Sequence, residues 1–266
     1  MNYVHLLHNY HVKNIIVTGG GGFIGSHTCL VLLEKGYNLF VIDSFANSSF
    51  KSIDRILEIH KSKKHNSKNN LKLFRGNLCN KEFIKDVFDS VKKENKEIDG
   101  VIHFAGLKSV AESILKPLLY WRTNLIGTIN LLDIMEEYDC YNLVFSSSAT
   151  VYQSKNNFLL NESSEIGPIN PYGNTKYTIE VILKNLFKSS LNKWKLASLR
   201  YFNPIGAHES GLIGEDPKDV PNNIFPLIIN TALGLQKKFK IYGNDWPTPD
   251  GTALGTVLSS TLTAII

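Results

Sequence analysis

The stretch NIIVTGGGGFIGSHTCLVLLEKG (14–36) decides the fold. NIIVTG (14–19) is apolar and β-branched on both parities, the mark of a strand covered on two faces. Glycines follow, and then an amphipathic, helix-forming run over Ser26–Lys35. Strand, glycine turn and helix in that order bring backbone N–H groups and the positive end of a helix to one point, where an anion can be held. Gly19, Gly22 and Gly25 read as G-x-x-G-x-x-G, and Gly20, Gly22 and Gly25 also fit G-x-G-x-x-G. Side chains there would keep a pyrophosphate from the backbone, and the closing glycine lets helix and strand pack closely. The next strand, NLFVID (38–43), ends on Asp43. An acid at that place accepts from both ribose hydroxyls of an adenosine and repels a 2′-phosphate, so the pattern predicts NAD and not NADP.

The same rhythm continues along the chain. LKLFRG (71–76), GVIHFAG (100–106), NLVFSSS (142–148) and KLASLRYF (195–202) read as further buried strands. Between strands lie helical stretches at Phe50–Ile59, Phe83–Lys93, Thr123–Glu137 and Tyr172–Ser189. In Phe83–Lys93, the apolar Phe83, Ile84, Val87, Phe88 and Val91 keep the spacing of a one-sided helix. Strand–helix repetition with short links predicts an α/β fold, a doubly wound parallel sheet of the Rossmann kind with right-handed crossovers. From about Asn203 the rhythm loosens into Gly-, Pro- and Asn-rich loops with one helix-like stretch at Ile224–Leu235. That composition suits a smaller lobe over the carboxyl edge of the sheet. The expected division is an extension at 1–12, a dinucleotide-binding domain at 13–202, a partial substrate lobe at 203–252 and a divergent uncharged tail at 253–266.

Bulk properties exclude several classes. The chain has 266 residues, is 43% hydrophobic and carries a net charge of +5. Its densest basic run, HKSKKHNSKNN (60–70), lacks aromatic interleaving and reads as a solvated loop, so no nucleic-acid partner is expected. No window of 18 apolar residues exists, and the start MNYVHLLHNYHVKN is no secretory signal. His5, His8 and His11 recur every third residue, but no acidic or cysteine ligand joins them, so no metal site is expected. Cys29, Cys79 and Cys140 form no CxxC pair and no bridge framework, which favours a reducing, cytoplasmic setting. The last sixteen residues, GTALGTVLSSTLTAII, carry no charge and read as a strand or an unfinished end.

PYGNTKY (171–177) places Tyr172 and Lys176 at i and i+4, on one helix face. A phenol titrates near ~10 in water, too high for a base at neutral pH. An ammonium nearby, with the positive nicotinamide of an oxidised dinucleotide, stabilises the phenolate. The pair then becomes a general base beside a hydride acceptor, suited to oxidising an alcohol. FSSSATVY (145–152) ends a parallel strand at the ligand-bearing edge, where Ser148 could hold the substrate oxygen and share the proton.

The segments VTGGGGFIGSHT, VIHFAGLKSVAES, NLIGTINLL, LVFSSSATVY, NPYGNTK, LRYFNPIGAH, GEDP, VPNNIFP and YGNDWPTPDGT together resemble the UDP-glucose 4-epimerase family of extended short-chain dehydrogenases/reductases. The resemblance runs from Lys13 to Gly251. It implies NAD as a tightly held cofactor, UDP-glucose and UDP-galactose as substrates, and a homodimer formed through the helices at Ala111–Glu137 and Tyr172–Ser189. The implied chemistry is oxidation of the sugar at C4, rotation of the 4-keto sugar and re-reduction on its other face. Carried over residue by residue, it gives Ser148, Tyr172 and Lys176 catalytic roles, with Lys176 on the nicotinamide ribose. It puts Gly19, Gly22, Phe23, Ile24 and Gly25 at the pyrophosphate, and Asp43, Ser44, Phe45, Ala46 and Asn47 around the adenosine ribose. Asn77 and Leu78 flank the adenine, with Asn77 standing where the family has Asp. Phe104, Ala105, Gly106, Lys108 and Asn124 lie along the cofactor, and Tyr201 and Phe202 at its nicotinamide end. Lys108, Ser148, Ala149, Thr150, Asn203, Asn223, Ile224, Ile241 and Tyr242 are the implied contacts to the UDP-sugar. Gln153 replaces a family glycine and strains its turn if its φ is positive.

Three rivals stand beside this reading. A nucleotide-sugar 4,6-dehydratase needs carboxylates just after the strand-end serine, where this chain has Ala149 and Thr150. A nucleotide-sugar dehydrogenase needs only the same triad and would release reduced cofactor. The third is a truncated, catalytically impaired binder of NAD, because the sequence departs from the family pattern at Ala253, where an arginine that pairs with the diphosphate is expected.

Overall fold

A computed structural model of the chain describes residues 12–63, 70–153, 160–189, 193–218, 221, 223–241, 243–252 and 257–259. The order of elements is β1 (Asn14–Thr18), α1 (Phe23–Glu34), β2 (Asn38–Asp43), α2 (Phe50–Ser62), β3 (Leu71–Arg75), α3 (Lys81–Lys93) and β4 (Gly100–His103). Next come α4 (Val110–Leu115), α5 (Pro117–Tyr120), a π-helical segment (Trp121–Ile126), α6 (Gly127–Glu137), β5 (Asn142–Ser148), α7 (Pro171–Ser189) and β6 (Lys195–Tyr201). The remainder is β7 (Asn203–Ile205), α8 (Ile224–Ala232) and β8 (Val257–Ser259). The first six strands form one parallel sheet in the order β3-β2-β1-β4-β5-β6, the doubly wound arrangement expected from the alternation.

Period-two alternation divides the apolar strands between two cores. Ile16, Phe40 and Ile42 face α3, α6 and α7, packing with Ile84, Val87, Phe88, Leu131, Met135 and Ile179. Their neighbours Val17, Leu39 and Val41 face α1 and α2, packing with Leu30, Leu33, Ile53 and Ile56. Each side chain so buried contributes about 1.5–3 kcal/mol. The helices are oriented by their caps: Ser49 accepts from the Lys51 N–H at the start of α2, and Asn80 from the Phe83 N–H at the start of α3.

Several boundaries differ from expectation. The glycine turn is shorter than the sequence suggested, so α1 begins at Phe23 and not Ser26. The basic run is not a loop at its start, because α2 continues through Ser62 with His60 buried; residues 64–69 lie outside the described set. The stretch expected as one helix over Thr123–Glu137 is reached through α5 and the π-helical segment. In the 253–266 tail, β8 pairs in parallel with β7, Asn203 opposite Val257. The histidine triplet at 5, 8 and 11 lies outside the described residues. Gln153 carries no such strain: among the described residues, the non-glycine residues with positive φ are Phe45, Asn95 and Asp139.

The topological switch lies at β1, which pairs with β2 on one side and β4 on the other. Their connections leave the sheet in opposite directions, so a crevice opens at the carboxyl end of β1.

Candidate active site

A cavity of about 1730 Å³ fills this crevice, with the glycine turn, the ends of β2, β4 and β5, the start of α7 and parts of the segment after Asn203 in its wall. Pockets for a single drug-sized ligand run to about 300–1,000 Å³, so there is room here for two nucleotide-sized molecules.

The glycine turn forms the floor. Gly19 sits at φ +69°, and a Cβ on Gly25 would lie 2.2 Å from the Gly19 carbonyl oxygen. Neither position admits a side chain. Gly22 precedes α1 with no side-chain cap on the helix, so the N–H groups of its first turn open toward the cavity. Gly19, Gly22, Phe23, Ile24 and Gly25 all line the wall there. At the next strand end, Asp43 is not the free acceptor the sequence suggested. Its Oδ2 accepts from the Gly21 N–H (2.9 Å), and its Oδ1 from the Phe45 N–H (2.7 Å) and the Ser48 hydroxyl (3.0 Å). The carboxylate thus ties the glycine turn to the loop after β2, while Oδ2, which accepts one of these bonds, keeps a lone pair for a ribose hydroxyl.

At the other end, Ser148, Tyr172 and Lys176 converge, each at most 8% exposed. The Ser148 oxygen accepts from the N–H (3.2 Å) and the hydroxyl (2.9 Å) of Thr150, which leaves its own proton for the Tyr172 phenol oxygen. Burial raises the Tyr172 phenol above its ordinary value, and the Ser148 hydroxyl pulls it partly back. The expected lowering by Lys176 is absent in the protein alone, whose ammonium lies 5.9 Å from the Tyr172 ring centre. A further positive charge is needed. Lys176 donates to the Ser146 carbonyl (2.7 Å) and rests 4.8 Å above the Phe145 ring. It has no carboxylate partner among the described residues, so burial pulls its amine down to about 8.

That value carries a prediction. With the folded value below the ordinary lysine value of 10.5, the ammonium is penalised at lower pH, and stability rises with pH between about 8 and 10.5. Competitive amine labelling of the ligand-free chain should show Lys176 becoming reactive with a midpoint near 8. A midpoint at the ordinary lysine value would mean the ammonium is solvated, and the site more open than described.

Helix α7 is fixed beneath this group. The Ser147 hydroxyl donates to Glu180 Oε1 (2.5 Å), and Arg200 grips the same carboxylate through Nε (3.0 Å) and Nη2 (2.7 Å). Arg200 also lies 4.8 Å over the ring of Tyr152, itself part of the cavity wall. Tyr172, Lys176 and Glu180 therefore share one flank of α7, and the ion pair sets that flank against β5 and β6.

Ser44, Ala46, Asn47, Asn77, Leu78, Phe104, Ala105, Gly106, Lys108, Ala149, Thr150, Tyr201, Phe202, Asn203 and Asn223 also line the cavity. Phe45 does not: its backbone turns left-handed at φ 55°, and its buried ring packs with the α1–α2 core and stacks on the exposed Phe50. Asn124 stands behind the wall. Its side chain donates to the Leu107 carbonyl (3.1 Å) and the Thr175 hydroxyl (3.1 Å) and accepts from the Leu107 N–H (2.8 Å), which holds the Gly106–Lys108 loop in place. Ile224 and Ile241 are 50% and 67% exposed and off the wall. Both lie beyond Asn203, Ile224 at the start of α8 and Ile241 in the loops after it. Tyr242 lies outside the described residues. The wall also contains Gly21, Ser52, Arg55, Tyr152 and Glu215, which the sequence reading left without a role. Gly21, Tyr152 and Glu215 fall within VTGGGGFIGSHT, LVFSSSATVY and GEDP, while Ser52 and Arg55 fall within none of the quoted segments.

Residues 16–259 match the family model described as GDP-mannose 4,6 dehydratase. UDP-glucose 4-epimerase 2 of Arabidopsis thaliana is 46% identical over 91% of this chain and 66% of its own length. The UDP-glucose 4-epimerase of Bacillus subtilis is 46% identical over 90% of this chain and 67% of its own. The chain thus spans about two thirds of these curated relatives. Among solved structures, the UDP-glucose 4-epimerase of Bifidobacterium longum in complex with NAD+ and UDP superposes with a TM-score of 0.86 at 38% identity, covering 95% of this chain and 72% of that one. The enzyme from Stenotrophomonas maltophila, with NAD and formylated UDP-arabinopyranose, gives 0.85 at 36% identity, covering 95% and 71%.

Proposed function

This chain belongs to the UDP-glucose 4-epimerase family, and on that premise we propose that it interconverts UDP-glucose and UDP-galactose with a tightly held NAD, in galactose metabolism. The observation that carries the reading is the convergence of Ser148, Tyr172 and Lys176 at the end of a cavity whose other end is a side-chain-free glycine turn. The turn fits the cofactor: its glycines leave no space for a Cβ, and the uncapped start of α1 suits a pyrophosphate. Bound along that wall, an oxidised nicotinamide supplies a hydride acceptor and adds the positive charge that the phenol lacks.

The chain's own residues then handle the proton and the sugar. Tyr172 Oη takes the proton of the sugar 4-hydroxyl, with the Ser148 hydroxyl donating to the same oxygen and stabilising the phenolate. The buried Lys176 ammonium has two further protons to give beyond its bond to Ser146, enough to hold ribose hydroxyls. Lys108, Ala149, Thr150, Asn203 and Asn223 line the part of the cavity left for the nucleotide sugar, and residues 203–252 form a partial substrate lobe in this reading. A grip on the UDP portion, away from the reacting carbon, lets the 4-keto sugar turn over and present either face. Tyr172 Oη returns the proton at the end of each cycle.

The dehydratase named by the family model needs a carboxylate beside the strand-end serine. Ser148 is followed by Ala149 and Thr150, which supports epimerisation over elimination. A dimer is part of the proposal, supported by exposed Ile114, Leu115, Leu118, Ile126 and Val181 on the helices Val110–Leu115 through Gly127–Glu137 and Pro171–Ser189. Sedimentation at the monomer mass would remove that part. Free Cys29, Cys79 and Cys140 support a cytoplasmic setting.

The test is turnover of UDP-galactose by purified chain with its retained dinucleotide. UDP-glucose should form with no free NADH. Accumulating NADH would favour a dehydrogenase, and retained NAD without turnover would leave only a cofactor-binding chain.

A further inference from the structure

One buried carboxylate in the cavity wall joins Lys108 and Asn223, which are far apart in the sequence. Glu215 Oε1 receives Lys108 Nζ at 3.0 Å and the side-chain amide of Asn223. The Glu215 side chain is 8% exposed and that of Lys108 is 51%. Lys108 stands just before α4 and Asn223 just before α8, and all three line the cavity.

The segment that carries Glu215 is anchored. Ile213, two residues before it, is 4% exposed within the α1–α2 core. Lys218, three residues after it, donates to the Phe45 carbonyl at 2.6 Å. A fixed carboxylate holding a flexible lysine and an asparagine orients them, and not the reverse. Lys108 otherwise has four rotatable bonds and water around it, so its ordering would have to be met when a ligand arrives. With Nζ and Nδ2 drawn to one oxygen, the remaining protons of both groups stay together at the cavity mouth. An ammonium beside an amide suits a phosphate oxygen.

We propose that Glu215 is a positioning residue that holds Lys108 and Asn223 as a preformed pair for the diphosphate of a nucleotide ligand. This rests on the nucleotide-sugar reading above, and deepens it by naming what organises the phosphate end. The Glu215 charge repels a phosphate in principle, but it is already engaged by an ammonium and an amide donor.

Calorimetric titration of UDP into dinucleotide-loaded chain tests it. Glu215→Ala should weaken UDP binding about ten-fold, and Glu215→Gln, which can still accept from Asn223, about three-fold. Both variants should keep the wild-type melting temperature within about 2 °C, because the carboxylate lies at the cavity mouth and not in a core. With Lys108→Ala as background, Glu215→Ala should cost less than it does in the wild type, since one partner is already gone. Equal or tighter UDP binding by Glu215→Ala would show that the carboxylate merely competes with the phosphate, and overturns the proposal. Strict additivity with Lys108→Ala overturns it too. A wild-type chain that binds neither UDP nor dinucleotide would remove the functional reading itself. Wild-type binding unaltered by Glu215→Ala removes this proposal alone.

Discussion

Tyr172→Phe should lower UDP-galactose turnover by about 10³-fold, while dinucleotide retention stays within about two-fold of the wild type. The substitution deletes one oxygen and little else. The ring stays where it is, 8% exposed and edge-on to Tyr120 at 6.4 Å between centres. Lys176 keeps its bond to Ser146 and its place over Phe145. What disappears is the group that receives the Ser148 proton and takes the substrate's. Ser148→Ala gives a second, independent reading. Burial raises the Tyr172 phenol and Ser148 lowers it. Without that hydroxyl the phenol rises further, so the acid limb of the kcat/KM profile should move to higher pH, with a smaller loss of kcat than Tyr172→Phe. If turnover survives in Tyr172→Phe, the proton goes elsewhere and the assignment of the base is wrong.

Gly25→Ala is expected to abolish dinucleotide uptake and destabilise the chain by about 2–4 kcal/mol. The added methyl would lie 2.2 Å from the Gly19 carbonyl oxygen and 2.8 Å from the Gly20 Cα. Both are backbone atoms, with no flexible tip to move aside. Relief through Gly19 is closed as well, since that residue sits at φ +69° with the Ala105 backbone 2.6 Å from where its own Cβ would be. Gly22→Ala separates folding from binding. Its methyl would meet nothing nearer than the Gly19 oxygen at 3.3 Å, so the melting temperature should hold. It projects at the open start of α1, however, so uptake should still weaken at least ten-fold. Uptake unchanged in both variants would place the dinucleotide somewhere other than this turn.

The frame was legible because its signals are local. The glycine turn, the two-parity apolar strands and the Tyr172/Lys176 spacing each need only a short window, and they fall between β1 and α1, in the sheet and on α7 as expected. Asp43 ends β2 as its pattern indicated, but its bonds to Gly21, Phe45 and Ser48 could not be foreseen, because they depend on how the following loop turns back. Phe45 shows the limit most clearly: a left-handed backbone at a phenylalanine has no sequence signature, and it sends the ring into the core instead of the crevice. Glu180 and Arg200 are twenty positions apart, and only the sheet brings them together. Beyond Asn203 the strand–helix rhythm is lost apart from α8, so neither the exposure of Ile224 and Ile241 nor the bond from Lys108 to Glu215 could be read from a short window.

Because Tyr172, Lys176 and Glu180 ride on a single helix, that helix has a fixed phase. Inserting or deleting one residue between positions 172 and 180 would swing everything beyond it by about 100°, carrying either the phenol or its anchor out of the cleft. Length variation among proteins built this way should therefore collect in loops such as the one joining β5 to α7, and spare the first half of α7 altogether.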